Sequence, residues 1–280
     1  MPSHSPKVRF AVAGTGGIIR AFHLPALLKN PRAEVIGAAN LHAESLRRLA
    51  KDFKIPKTYS SFESLAEDPA VDAVVIGLPN ALNAPVSIQL LRSGKHVLCE
   101  KPMAKSVAEC EGMIEAADRS GKQLMIAHVW RANEEMRWLQ GIVKSNVIGR
   151  IIKCKAYAAP SNWGPPPDNW RTQRDLSGGG AFADIGIHSV DTVSFLFHDQ
   201  LRPKKVFALE GNFFEKFDVE DTAQALIEYE NGLACIIEAG WYHPFATHPH
   251  GTVEIFGTEG YARVFPAELY TLRTETGIQR

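Results

Sequence analysis

The sequence predicts two domains. The first, residues 1–128, is an α/β domain with a parallel sheet; the second, residues 129–280, is an α+β domain with a mostly antiparallel sheet. Three observations predict this. From Lys7 to Trp130 short apolar runs alternate with helix-like runs, the spacing of βαβ units. The first of those runs ends directly in Gly14-Thr15-Gly16-Gly17, a glycine turn between a strand and a helix. Beyond Ile148 the pattern changes to successive strand-like runs with few helices, which reads as an antiparallel sheet.

In order, Lys7 to Ala13 is the first strand, and the helix after the glycine turn runs to Leu28. Ala33 to Ala39 is the second strand, followed by a helix over Ala43 to Lys51. Val71 to Leu78 is the third strand, and Asn83 and Pro85 open a helix that reaches Ser93. His96 to Cys99, bounded by Gly94 and Pro102, is a short buried strand. Ser106-Val107-Ala108-Glu109 is a capping-box start to a helix that ends near Gly121. Leu124 to Trp130 is the fifth strand, and Asn133 to Lys144 a helix. The second domain has strands at Arg150 to Ala158, Lys205 to Phe213, Asp221 to Tyr229, Leu233 to Trp241, Thr252 to Phe256 and Tyr261 to Phe265. Asn231-Gly232 and Glu259-Gly260 are hairpin turns. Ser177 to Gly180 leads into a helix through Phe197, and residues 162–167 are a loop.

Composition excludes some classes. Hydrophobic residues at 45% and charged residues at 22% describe an ordinary globular chain able to bury a core. Thirty-one basic and thirty-one acidic residues cancel, so nothing points to nucleic acid as a partner. No apolar stretch approaches the ~18 residues of a membrane span, and the first six residues have no signal-peptide core. Cys99, Cys110, Cys154 and Cys235 have no C-x-x-C spacing and read as small buried hydrophobes in a reducing compartment, so a cytoplasmic protein is expected.

Two constellations carry chemistry. In the first, Gly14 permits a tight turn, Gly16 lets backbone N–H groups approach a pyrophosphate, and the following helix N-terminus offers unpaired donors. Ile19 stands where the fingerprint has its third glycine. Asn40 replaces the acid expected after the second strand; it can bond a ribose hydroxyl without repelling a 2′-phosphate. His42, Arg47 and Arg48 are candidates for that phosphate, with solvated helix positions as the plainer reading of the two arginines, so NADP is favoured slightly over NAD. Pro79 and Asn80 lie at the carboxyl edge of the sheet, beside a bound cofactor or as a simple turn. Lys101 follows the strand His96 to Cys99 at the edge where open α/β sheets bind ligands; alone, it is equally a solvated lysine. Glu100 can pair with Lys101 or contact cofactor.

In the second, Asp184 and His188 are spaced i, i+4 on a mostly apolar helix and share a face. Histidine titrates where proton transfer near neutral pH needs it, and a carboxylate on the same face can orient it or hold a hydroxyl. The plain alternative is a hydrogen-bonded pair that stabilises the helix start.

These stretches together resemble the glucose–fructose oxidoreductase / inositol dehydrogenase (Gfo/Idh/MocA) family of NAD(P)-dependent oxidoreductases. The likeness rests on Gly14 to Gly17 with His23-Leu24-Pro25-Ala26-Leu27, on Pro79-Asn80, on Gly94 to Pro102, on Arg131 and on Gly178 to His188. It implies a Rossmann-type nucleotide-binding domain and a second domain with an open-faced sheet. It implies a cofactor site at Gly14, Thr15, Gly16, Gly17, Ile18, Asn40, Pro79, Asn80, Glu100 and Lys101. It implies that Lys101, Asp184 and His188 act at the reacting carbon, with Arg131, Trp170 and Arg171 on the substrate side. Asn83 stands where the family commonly has His after Pro-Asn, and the family's C-terminal helical segment is expected to be missing after the last strands.

The expected function is hydride transfer between nicotinamide and a secondary alcohol or ketone of a sugar, polyol or cyclitol. The alternative is a catalytically silent nucleotide-binding regulatory or scaffold protein of the same fold. A homo-oligomer through the open sheet face is expected. No metal is expected: His243, His248 and His250 cluster in one loop without a carboxylate partner. Trp163, Trp170 and Trp241 read first as packing residues, with sugar stacking as the alternative.

Overall fold

The computed structural model describes residues 6–158, 164–242, 251–273 and 277–279. The chain forms two units, Met1–Ala127 and His128–Arg280.

The first unit is a six-stranded parallel sheet in the order β3-β2-β1-β4-β5-β6, with β1 Val8–Ala13, β2 Ala33–Ala39, β3 Lys57–Tyr59, β4 Ala73–Ile76, β5 His96–Cys99 and β6 Leu124–Ile126. Helices α1 Leu24–Lys29, α2 Ala43–Phe53, α3 Phe62–Glu67, α4 Asn80–Arg92 and α5 Val107–Ser120 form the crossovers. The strand β4 is apolar and buried throughout, as expected for a sheet covered on both faces. Leu46 and Leu49 of α2 are buried, and Lys54 ends that helix in the left-handed region at φ 53°. Ser106 caps α5 by accepting from the Glu109 N–H, and Gly121 ends it at φ 63°.

Several elements of this unit differ from expectation. The elements β3 and α3 are additions, because a three-residue strand carries too short an alternation to register in the sequence. The third predicted strand shrinks to β4: Val71 closes a turn with the Asp68 carbonyl before it, and the chain leaves the sheet at Gly77. The helix expected from Asn83 already starts at Asn80, with Pro79 at its cap position. The fifth predicted strand stops at Ile126, and Val129–Ala132 form a 3-10 turn instead.

The second unit is an eight-stranded sheet ordered β14-β13-β12-β11-β7-β10-β9-β8. Its strands are β7 Ile151–Ala158, β8 Pro203–Gly211, β9 Thr222–Tyr229, β10 Ala234–Gly240, β11 Thr252–Gly257, β12 Gly260–Val264, β13 Glu268–Arg273 and β14 Gly277–Gln279. Every pair is antiparallel except β7 with β10. The last two strands add to those expected. Both expected hairpins form: Gly232 takes φ 82° between β9 and β10, and residues 258–259 link β11 to β12. Helices α6 Glu134–Ser145 and α8 Ile187–Leu196, with the short α7 Arg174–Ser177, complete the unit. Met136, Leu139, Val193 and Leu196 from α6 and α8 pack on Cys154, Cys235, Ile237, Val253 and Ile255 of the sheet. The opposite face carries a row in register, Lys155, Ile236, Leu226 and Phe207, all exposed except the partly buried Ile236.

Candidate active site

In the first unit three neighbouring strands end level. Ala13 is paired with Ile76, and Ile76 with Cys99, so Gly14, Gly77 and Glu100 leave the sheet side by side. This is the carboxyl edge, at the point where the strand order reverses between β1 and β4, the crevice that binds ligands in open α/β sheets. Gly14 adopts φ +106°, and a Cβ there would lie 2.2 Å from the Gly77 carbonyl oxygen, so only glycine fits. A Cβ on Gly16 or Gly17 would meet nothing within 4 Å. The turn is therefore tight beneath and open above, which fits a pyrophosphate approaching its backbone N–H groups.

Ile19 does not disturb that turn. It is fully buried, and the room it needs is provided by Gly77, where a Cβ would come 2.7 Å from the Ile19 Cγ1. Close packing of helix on sheet, which the missing third glycine would have given, is supplied by a glycine just past the end of the neighbouring strand β4. Residues 19–23 form a π turn before α1. Ile18 is partly exposed beside the open face. The Asn40 amide donates to the Thr15 hydroxyl, which ties the end of β2 to the glycine turn. Arg48 pairs with Glu44 on an exposed helix face, the solvated role that is its plainer reading. Asn80 is buried in the first turn of α4.

Lys101 is half-buried, and its backbone is held from several sides. The Glu100 N–H donates to the Ile76 carbonyl at 3.0 Å. The Glu100 carboxylate accepts from the Lys101 N–H at 3.1 Å and meets His23 Nε2 at 2.7 Å. The Asn83 amide donates to the Pro102 carbonyl at 2.9 Å, so the residue that departs from the family pattern anchors the Glu-Lys-Pro turn. The neighbouring Cys99 thiol is pushed up to about 12 by burial, which removes it as a nucleophile.

In the second unit the long connection from β7 to β8 carries the predicted residues. Asp184 is buried in a π turn, Phe182–Gly186, that runs into α8. Trp241 Nε1 donates to Asp184 Oδ2 at 3.1 Å, and Arg171 Nε lies 3.5 Å from the same oxygen. The Arg171 guanidinium lies over the Trp170 ring, 4.4 Å from its centroid. The structure thus brings Asp184, Arg171 and Trp170 together. Trp241 is fully buried, so its role is packing and donation to Asp184 rather than stacking on a sugar. His188, one turn further on, stacks on Trp130 with ring centroids 5.2 Å apart and planes 19° apart.

Arg131 has a different setting from a ligand-binding arginine. Its guanidinium grips Asp191 of α8 at 2.7–3.0 Å through Nε and Nη2 and reaches Asp199 at 3.1 and 3.3 Å. The hydrogen bonds to Asp191 hold the guanidinium pKa above its usual value. This clamp fixes the 3-10 turn that carries Trp130 against the helix that carries His188.

Two supporting residues escape sequence reasoning. His23 is visible there only as part of a motif. Glu220 precedes β9, and its buried carboxylate accepts from the Gly180 N–H at 2.9 and 3.0 Å and from the Phe182 N–H at 3.1 Å. It caps the π turn and α8 from forty residues away, a pairing that no local pattern announces. A Cβ on Gly180 would lie 1.9 Å from the Glu220 carbonyl oxygen, which accounts for the last glycine of the triplet. Among the described residues no group of three ligating side chains could hold a metal ion. Trp163, His243, His248 and His250 lie outside the described residues.

Comparison with known proteins finds a family match for each unit. Residues 8–128 match the family described as "Oxidoreductase family, NAD-binding Rossmann fold", and residues 136–263 match the "GFO/IDH/MocA C-terminal domain". A 1,5-anhydro-D-fructose reductase of Ensifer adhaerens is 31% identical over 255 residues, covering 90% of this chain and 74% of the relative. A D-xylose 1-dehydrogenase [NADP(+)] of Haloarcula marismortui is 30% identical over 267 residues, covering 93% of this chain and 72% of the relative. The structure of an aldose-aldose oxidoreductase from Caulobacter crescentus, complexed with glycerol, superposes with a TM-score of 0.82 at 26% identity, covering 92% of this chain and 76% of that one. With both of its units matched, this chain belongs to the Gfo/Idh/MocA family of NAD(P)-dependent oxidoreductases.

Proposed function

We propose that this protein moves hydride between nicotinamide and a secondary alcohol or ketone of a sugar, polyol or cyclitol. The observation that carries the reading is the placement of the glycine turn and the Glu-Lys-Pro turn on one edge of one parallel sheet, where their strands end in register. The relatives named for anhydrofructose, xylose and aldose chemistry support the substrate class.

Gly14 to Ile18, Asn40, Pro79, Asn80 and Glu100 would hold the dinucleotide, whose nicotinamide supplies the hydride donor or acceptor. An alcohol carbon releases hydride readily only as its hydroxyl loses a proton. His188 takes that proton, with Trp130 stacked behind the ring. Lys101 donates a hydrogen bond to the same oxygen and stabilises the negative charge that grows there. Asp184 and Arg171 bind neighbouring hydroxyls, and Trp170 offers a ring face to the sugar. Arg131 serves the substrate side indirectly, by holding α8 through Asp191.

Replacing Lys101 by Ala should lower turnover by about 10²- to 10³-fold, the loss expected for one oxyanion donor. The dissociation constants of NADH and NADPH should stay within a few-fold. Turnover equal to wild type on a panel of D-xylose, levoglucosan, 1,5-anhydro-D-fructose and myo-inositol would refute the lysine's role. The same titrations decide the coenzyme. NADPH is favoured, because Asn40 brings no negative charge to the end of β2 and His42 stands beside it.

The exposed Phe207, Leu209 and Leu226 support the reading of a homo-oligomer through the open sheet face. Gel filtration should show a species larger than one chain, and the double variant F207D/L226D should shift it to the monomer. A cytoplasmic location is supported by four free cysteines, three of them buried.

A further inference from the structure

We propose that His23 is a positioning residue that ties the dinucleotide-binding turn to the backbone of Lys101. The inference rests on the role given to Lys101 above. The link is a short chain of contacts inside the first unit. Ile19 locks the start of the helix onto the end of β4 through Gly77. One turn later, at the end of the π turn, His23 reaches across to Glu100 at 2.7 Å. The other carboxylate oxygen of Glu100 accepts from the Lys101 N–H. The His23 and Glu100 side chains are only 14% and 10% exposed, so water competes weakly for this contact.

His23 is given no other part in the site described above. His23 lies one helical turn beyond the glycine turn, and its ring is aimed at Glu100 rather than at the open face above Gly16 and Gly17. Glu100 spends one oxygen on His23 and the other on the peptide that carries Lys101. π turns recur where a helix must aim a functional side chain, and this one delivers His23. The consequence is mechanical: the turn that would seat the pyrophosphate and the lysine that would meet the reacting oxygen are held as one piece. A bound coenzyme and Lys101 would then be kept in register by the protein itself.

Three variants test this: H23A, H23Q, whose amide nitrogen can reach the same carboxylate oxygen, and K101A as the control. With the best substrate of the panel above, H23A should lower kcat about 10- to 100-fold, the usual effect of misplacing a reacting group by an ångström or less. The NADH and NADPH dissociation constants should stay within threefold, and H23Q should recover most of the loss. A kcat equal to wild type in H23A, a coenzyme affinity that falls in step with kcat, or an H23Q no better than H23A would overturn the proposal. Hydrogen exchange at the Lys101 amide, followed by NMR on the coenzyme-free protein, is a readout that needs no substrate. H23A should speed it at least tenfold and H23Q less; unchanged exchange in H23A refutes the link. Normal turnover in K101A, by contrast, would sink the role of the lysine while the exchange result still decides whether His23 holds its backbone.

Discussion

Replacing Glu220 by Ala should loosen the start of the helix that carries Asp184 and His188. The carboxylate is buried and accepts from two backbone donors, Gly180 and Phe182, at 2.9–3.1 Å. A hydrogen bond to a charged group contributes ~1.5–3 kcal/mol, so losing both puts the upper bound near ~6 kcal/mol. Water lowers that figure. A cavity of about 250 Å³, lined by Gly178, Gly179, Phe182, Leu209 and Glu220 among others, lies beside the cap and can deliver a replacement partner. A net loss of ~3 kcal/mol remains, which for a unit of this size lowers Tm by ~6–12 °C. Glu220→Gln keeps one carbonyl acceptor and should lose about half as much. Circular dichroism melts of both variants, with urea titrations to separate the two units, measure this. An E220A protein melting within about 2 °C of wild type would show that the carboxylate is not what holds the helix start.

The glycine turn gives a paired prediction. Gly14→Ala forces a side chain into the left-handed region and against a backbone oxygen, so it should cost at least ~2 kcal/mol in urea unfolding. Gly16→Ala meets open space and should leave stability within ~0.5 kcal/mol while weakening NADH binding; unchanged affinity would mean that the pyrophosphate does not lie over Gly16. A third expectation concerns acid. The Arg9 guanidinium holds Asp72 down at about 2 through a bidentate contact. Because its folded pKa is depressed, the pair adds stability above the ordinary aspartate range, and that stability fades as pH falls from about 4 towards 2. Both side chains are more than a third exposed, so the effect should stay under ~1 kcal/mol. The urea midpoint of Asp72→Asn should lie below that of wild type at about pH 7, and the gap should narrow as pH falls below about 4 and close only below about pH 2; a constant gap would refute the assignment.

The sequence is most legible where local signals agree with the final packing. The strands β2 and β5 appear with the predicted ends, because each is a buried apolar run closed by a polar or glycine stop. Lys101, Asp184 and His188 are visible because an ionisable residue at a strand end, or inside an apolar helix, is unusual. Other features rest on partners distant in the chain. Arg131 reads as a substrate ligand until Asp191 and Asp199, 60 and 68 residues on, take its donors. Glu220 gives no sign that it will cap a helix that starts forty residues earlier. The parallel pairing of β7 with β10 is likewise invisible, since alternation marks which face is buried but not which neighbour is paired.

The packing of Ile19 into Gly77 has a bearing on how such chains change over generations. The two positions are 58 residues apart in sequence, yet they share one volume. A larger residue at 77 with Ile19 in place would push the helix off the sheet. A glycine at 19 with Gly77 in place would leave a void where an isoleucine had been. Neither step alone is neutral, so substitutions at one site are tolerated only against the background of the other. Scoring position 19 by itself counts a mismatch in a fingerprint that is satisfied by the pair. In related chains the two sites should covary, with bulk at either the helix or the strand and never at both.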